Sequence, residues 1–428
     1  MFQTFTESTN PQDGPPRLAA LRVELKNAGL DGFLIPRADA HQGEYVSEHD
    51  ARLAWLTGFT GSAGFCIALH DRAGVFVDGR YRVQVKAQID LDKFTPVDWP
   101  EVKPWDWLIE ALPNGGKIGF DPWLHTVSEI DGYREGLKDS GVELLAHENP
   151  VDQVWDDQPA RPRGKVTAYP LEYAGEKSGD KRTRIAKILA DAGHRATVLT
   201  LPDSICWLLN IRGSDIERNP VAHAFAILFD TGKMQFFTDT EKVKDLGPDP
   251  NIEVLDWDAF EGALAALTGP VRVDKASAPI RVSDVLTKAG VEIDYADDPC
   301  ILPKARKNAT EIAGTVEAHL RDGAAMVEFL CWLDGAKQKP GLSEIDIVKK
   351  LEGYRRATNV LLDISFETIC GSGPNGALPH YRVSDASNRN LKDGDLIVID
   401  SGGQYIDGTT DITRTVCVGT PGADERAA

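Results

Sequence analysis

The apolar and polar positions of this chain fall into two segments with the same order of parts. In the first, "PPRLAALRVELKNAG" predicts a helix that opens at prolines and stops at Gly29. "GFLI" follows as a strand, then an acidic polar loop and "RLAWLTGFTG". "GFCIALHDRAGVFVDGRY" predicts two strands around an Asp-Arg-Ala-Gly turn, and "GKIGFD" precedes a stretch ending "SGVELL". The second segment repeats this order. "KRTRIAKILADAG" predicts a helix stopped at Gly193, "ATVLTL" a strand, and "PDSICWLLNIRGSD" echoes the Trp-Leu-x-x-x-x-Gly pattern. "AFAILFDTGKMQFFTD" is again two strands around an Asp-x-Gly turn, with "GPVRVDKASAP" and "AGVEIDY" behind it. Few letters are shared; the match lies in element order and punctuation. Two copies are too few for a stacked solenoid, so the expectation is one α/β unit, duplicated.

Pro-rich, charged linkers at 156–170 and 297–311 divide the chain. The expected domains are 1–160, 161–301 and 302–428, and the expected class is α/β (α+β). From Asn308 the pattern turns helical, and Ile312, Val316, Leu320, Val327 and Leu330 keep returning to one face. Ser343 with Asp346 predicts a capping box on the next helix, whose apolar positions include Ile347 and Leu351. "ISFETIC" then reads as a strand and "GSGPNGALPHY" as a loop. A hairpin follows at 396–419, "LIVIDSGGQYIDGTTDITRTVCVG". Its first arm, Leu396 to Ile399, reads as a buried strand ending at Asp400. Its second, Thr413 to Val418, alternates with period two.

Composition fits an ordinary soluble globular protein of two or three domains: 428 residues, 42% hydrophobic and 26% charged. A formal charge of −19 would repel a phosphate backbone or an anionic membrane, so no nucleic-acid or membrane partner is expected. The acidic residues are spread along the chain, which suits solubility. The N-terminus lacks a basic-then-apolar signal, and no apolar run approaches the ~20 residues a membrane span needs. Six cysteines (66, 206, 300, 331, 370, 417) form no CxxC pair, the usage of reduced thiols in the cytoplasm.

Five features carry candidate chemistry. "GSGPNG" at 371–376 matches G-x-G-x-x-G, but Pro374 removes an N–H and a second proline follows where a helix would grow. A tight irregular loop is expected there, not a dinucleotide fingerprint. His380 in the same region is either a surface residue or, because loops on rigid scaffolds carry sites, a functional one. His41 and His49 lie near Asp39, Glu44, Glu48 and Asp50 with no ligand spacing, so a polar loop is favoured over a metal site. Asp407-Gly408 is a plain turn dipeptide. Asp400 and Asp411 are harder to explain. Two carboxylates brought together by a hairpin repel one another, and a divalent cation between them removes the penalty. Oxygen ligation suits a hard ion such as Mn2+.

"IDSGGQYIDGTTDITRT" together with "GSGPNGALPHY" closely resembles the aminopeptidase P (Xaa-Pro aminopeptidase) branch of the pita-bread metallopeptidases. "WLTGFTGSAG", "VDGRY", "WLLNIRGSDI" with "NPV", and "KNATEIAGTVEAHLRDGAA" with "WLD" extend the resemblance over nearly all of 30–428. It implies two creatinase-like N-terminal domains followed by a pita-bread catalytic domain. Residue by residue, it implies that Asp400 is the first metal aspartate and Asp411 the bridging one. His380 matches an active-site histidine that hydrogen-bonds substrate, and Arg80 a peptide-binding arginine. It also implies two Mn2+ ions with a bridging hydroxide, peptide substrates with proline in second position, and a homodimer.

The family pattern includes three further ligands, a histidine and two glutamates. His380 is the last of the nine histidines in this chain, and Glu425 lacks the family's strand context. The expectation is therefore a chain holding the N-terminal two-thirds of such an enzyme, binding metal weakly and cleaving slowly by itself. Two alternatives remain at this point: a non-catalytic pita-bread module that binds peptides or proteins, and a prolidase-like dipeptidase.

Overall fold

A computed structural model of the chain describes residues 1–7, 9–337 and 340–427. The described residues form two compact units, residues 9–307 and residues 308–427 joined by the first few residues of the chain.

The larger unit contains two six-stranded mixed sheets. The first comprises β1 (Gly32–Pro36), β2 (Phe65–Leu69), β3 (Ala73–Val77), β4 (Thr95–Asp98), β5 (Gly116–Phe120) and β6 (Val142–Ala146), in the order β4-β3-β2-β1-β5-β6. A short strand β7 (Thr167–Ala168) follows. The second sheet is built from β8 (Ala196–Leu199), β10 (Phe225–Phe229), β11 (Met234–Phe237), β12 (Ile252–Leu255), β13 (Val271–Val273) and β14 (Ile293–Tyr295), while β9 (Ile211–Arg212) pairs with β7. Its order is β12-β11-β10-β8-β13-β14, the same permutation. The strand senses also match, antiparallel through the central hairpins and parallel at both flanks. The duplicated α/β unit expected from the sequence is present.

Local chemistry explains the repeat. Helix Gly14–Asn27 buries Leu18, Leu21 and Leu25 against the first sheet, and helix Ser178–Asp191 buries Ile185 and Leu189 against the second. Each buried leucine stabilises its domain by roughly 1.5–3 kcal/mol. Gly29 (φ +67) and Gly193 (φ +78) take the left-handed conformation that ends each helix. The two copies meet through reciprocal main-chain bonds. The Val127 N–H donates to Ala278 O (3.3 Å) and the Ile280 N–H to His125 O (2.9 Å). The Ser128 N–H donates to Lys275 O, and the Arg281 N–H to Pro122 O, both at 3.0 Å.

The smaller unit packs helices Ala309–Ala336 and Glu344–Arg356 against two small sheets. β15 (Asp363–Ile364) pairs with β18 (Gly403–Gln404), and β16 (Ile369–Ser372), β17 (Leu396–Ser401) and β19 (Ile412–Cys417) lie in the antiparallel order β16-β17-β19. The Ser343–Asp346 capping box is formed as expected. "GSGPNG" leaves β16 as a short 3-10 turn with Gly373 at φ +52, and no α-helix grows from it.

Two expectations need correction. Residues 1–7 belong with this unit and not with the first α/β domain. The Phe2 and Gln3 N–H groups donate to the buried Glu352 carboxylate, Gln3 exchanges hydrogen bonds with the Thr368 main chain, and Arg382 donates to the carbonyls of Thr4 and Thr6. The apolar face of helix Ala309–Ala336 is also different. Ile312, Val316, Leu320 and Val327 are exposed, while Ala318, Asp322, Ala325, Met326, Phe329 and Leu333 are buried. Small residues let the backbones approach, and the buried Asp322 is paired with Arg355, so a count of large apolar side chains selects the wrong face.

Candidate metal centre

The hairpin that carries Asp400 is not uniformly buried. Along β17 the alternate residues Ile397, Ile399 and Ser401 are in the core, whereas Val398 and Asp400 point to the half-buried opposite face. Asp400 therefore does not continue the core, a departure from the buried strand end the sequence suggested. Across the ladder it faces Thr413, whose hydroxyl donates to Asp400 Oδ1 at 2.8 Å. Asp411 lies two residues before Thr413, a diagonal neighbour on the same face.

Gly402 allows this approach. A Cβ there would stand 1.9 Å from Thr410 O and 2.2 Å from Ser365 Oγ. With no side chain in the way, the Thr410 N–H reaches Gly403 O (2.9 Å), Thr410 Oγ1 accepts from the Gly403 N–H (2.9 Å), and Ser365 donates to Thr410 O (2.9 Å). These bonds hold Asp411 beside Asp400. Partial burial raises the Asp411 carboxyl above its ordinary value, and the Asp400 charge beside it raises it further. Arg355 acts in the opposite direction.

Arg355 is itself buried behind the hairpin. It makes two bonds to Asp322 (2.8 and 3.1 Å) and reaches Ser401 O at 3.4 Å, while the Tyr405 hydroxyl donates to Asp322 Oδ1 at 2.7 Å. Burial and the Asp322 carboxylate push the Tyr405 phenol well up, so it remains a donor. Asp407, expected only to shape the turn, also pairs with Arg321 through both oxygens (3.0 and 3.1 Å). The adjacent Gly408 packs where a Cβ would meet Ala318 at 2.9 Å.

His380 follows the 3-10 turn and is exposed. Its strand pairs Ile369 with Asp400 and Ser372 with Ile397, so the loop departs about 10 Å along β17 from Asp400. The loop is anchored by Glu344, a fully buried carboxylate. Glu344 accepts from the Ser372 N–H (2.7 Å) and hydroxyl (2.8 Å), the Asn375 amide (3.1 Å), the Tyr381 hydroxyl (3.1 Å) and the Arg389 N–H (3.3 Å). Sequence reasoning missed Glu344, Asp322 and Arg355. Their partners are distant in the chain, and the one local signal was that Glu344 follows a helix cap.

Arg80 lies in the other unit, in the turn after β3. It is half-exposed, with Nε and a terminal nitrogen on the Asp78 carboxylate (3.0 and 2.7 Å) and its guanidinium over the Tyr81 ring. His41 and His49 are held by main-chain carbonyls, of Thr200 (3.2 Å) and Pro159 (2.6 Å). Burial pushes His41 down to about 4.

Comparison with known proteins gives the class first. Residues 17–154 and 157–311 each match a creatinase/prolidase N-terminal domain, and residues 313–428 match metallopeptidase family M24. The chain is thus a metallopeptidase of the pita-bread class with two creatinase-type domains. A Coccidioides posadasii protein named "Probable Xaa-Pro aminopeptidase P" is 36% identical over 445 residues, covering 99% of this chain and 68% of that protein. Aminopeptidase P2 of Arabidopsis thaliana is 33% identical over 440 residues, covering 93% of this chain and 62% of that protein. The crystal structure of X-prolyl aminopeptidase from Caenorhabditis elegans, described as a cytosolic enzyme with a di-nuclear active site, superposes with a TM-score of 0.89. Identity to it is 29%, over 96% of this chain and 71% of that one. The chain belongs to the Xaa-Pro aminopeptidase P family.

Proposed function

We propose that the chain serves a metallo-aminopeptidase that releases the N-terminal residue from peptides with proline in second position. The observation that carries this reading is the Asp400–Asp411 pair, two carboxylates held side by side with the Asp411 carboxyl raised by partial burial and by its neighbour. Such a pair is disfavoured without a cation, so the residues present fit a metal. Asp400 and Asp411 would be its ligands, within a centre of two ions, with Mn2+ as the hard ion the oxygen donors favour. Divalent metal there would polarise the scissile carbonyl and supply a nucleophile at neutral pH.

The chain's own residues do the rest. The Thr413 hydroxyl fixes the orientation of Asp400. The Arg355–Asp322–Tyr405 network supports the hairpin from behind and leaves Asp411 ionisable. In this proposal His380 donates to the peptide carbonyl and Arg80 recognises the peptide. Glu344 keeps the loop leading to His380 in one shape. The domain division at 160 and 301, a homodimeric enzyme and a cytoplasmic setting belong to the same proposal. Among the described residues no helix is long and apolar enough to cross a membrane.

The test is Mn2+ capture by the full chain, followed by electron paramagnetic resonance, in parallel with release of the first residue from a Xaa-Pro-Xaa peptide. Weak Mn2+ binding by the unaltered protein, diminished further in Asp400→Asn and in Asp411→Asn, is the expected result. Capture unchanged in both variants would overturn the ligand assignment.

A further inference from the structure

A second group of metal-type side chains lies far from the hairpin in sequence, in the cleft between the two α/β copies. Asp39 comes from the acidic loop after β1, Asp50 from the 3-10 turn Glu48–Asp50 that follows it, and His223 from the segment leading into β10. One ligand atom from each lies within 4.8 Å of the other two. Sequence reasoning dismissed this loop as a metal site because it lacked a ligand spacing. The third member comes from the other copy, where no spacing rule could find it.

The group is built, not merely crowded. Asp39 is 1% exposed. Its Oδ1 accepts from the His41 N–H at 2.8 Å, but its buried Oδ2 has no hydrogen-bond partner. That oxygen stands 3.4 Å from His223 Nε2. The backbone of His223 is pinned on both sides. Its N–H donates to Asp215 (2.7 Å), and its carbonyl accepts from Thr238 (3.1 Å) and Lys242 (3.3 Å). The Asp50 oxygens each accept one bond, from Ser47 Oγ (2.6 Å) and from Arg52 (3.2 Å), and each keeps a second lone pair. The Arg52 charge is already shared with Asp152, which it grips at 2.6 and 2.9 Å.

An unpaired buried carboxylate oxygen is costly. One imidazole nitrogen and two carboxylates are a donor set for a borderline divalent ion. Ligand bonds of about 2.0–2.2 Å put tetrahedral donors about 3.3–3.6 Å apart, so these three donors have to close by up to about 1.5 Å. The remaining coordination positions open onto a cleft of about 920 Å³. We propose that Asp39, Asp50 and His223 hold one divalent ion of the zinc class, which ties the two α/β domains together across this cleft. The reading is independent of the hairpin chemistry.

The full chain carrying Asp400→Asn and Asp411→Asn isolates this site. After chelation and dialysis against Zn2+, elemental analysis should find one equivalent retained. Adding His223→Ala or Asp39→Asn should weaken binding by more than the about 10- to 100-fold typical of outer-shell changes. Failure to retain one equivalent, or retention undiminished in either added variant, overturns the proposal. Should those variants not fold, Co2+ in the Asp400→Asn/Asp411→Asn protein decides. Strong visible ligand-field bands of low-coordinate, nitrogen-ligated Co2+ support the site, and a spectrum like that of the hydrated ion refutes it.

Discussion

Glu344→Ala separates the support of the His380 loop from its chemistry. Five donor groups converge on this one carboxylate, but they are not equally dependent on it. The Tyr381 hydroxyl also reaches Ser387 (2.8 and 3.1 Å), and the Asn375 amide has Tyr381 and Ser387 O as further partners. Ser372 is fully buried, and both its N–H and its hydroxyl donate to Glu344. Two buried donors lost at about 1–2 kcal/mol each give a cost of about 2–4 kcal/mol. Because the chain has more than one unit, a single melting transition would blur the effect. Hydrogen exchange of the β16 amides reads it locally, and the expected change is about 30- to 700-fold faster exchange. Glu344→Gln, which keeps one acceptor oxygen, should fall between wild type and alanine. Exchange within about twofold of wild type in the alanine variant would show that the loop is held by something else.

Arg355→Met should destabilise the smaller unit by about 3–5 kcal/mol by leaving Asp322 buried without its cation, and the double variant with Asp322→Leu should recover most of that loss in denaturant titrations. Asp411→Asn should stabilise the metal-free protein at neutral pH. The folded-state carboxyl is raised, so the native state binds its proton more tightly than the unfolded chain, and stability falls as pH rises from near 4 through the raised native value. Solvent screening of this exposed residue limits the gain to no more than about 1 kcal/mol. Chelated protein unfolded in urea between pH 4 and 7 measures both the gain and the loss of the pH slope; an unchanged slope would refute the coupling.

The features legible in the sequence were those written locally. Gly29 and Gly193 mark helix ends because a left-handed residue needs glycine whatever surrounds it. The paired order of strands and turns therefore exposed the duplication, and the apolar run Leu396 to Ile399 followed by the alternating Thr413 to Val418 exposed the hairpin that carries Asp400 and Asp411. Interactions fixed by packing were not legible. Glu344 looked like an ordinary first-turn acid, yet it meets donors 28 to 45 residues away. The exposed stripe Ile312, Val316, Leu320 and Val327 was more conspicuous than the alanines that make the contact. His223 joined Asp39 and Asp50 only once two copies of one fold had been placed face to face.

The reciprocal bonds between those copies have a further meaning. Val127 with Ala278 and Ile280 with His125 are one contact made twice, with the roles of the halves exchanged. This is the signature of an isologous dimer, found inside a single polypeptide. A lone ancestral unit with this surface would have met a second copy at whatever concentration the cell supplied. The linker after the first domain replaces that encounter with a fixed effective concentration. Once association no longer depends on both surfaces remaining identical, each copy can turn different residues toward the cleft, and here Asp39 and Asp50 on one side face His223 on the other.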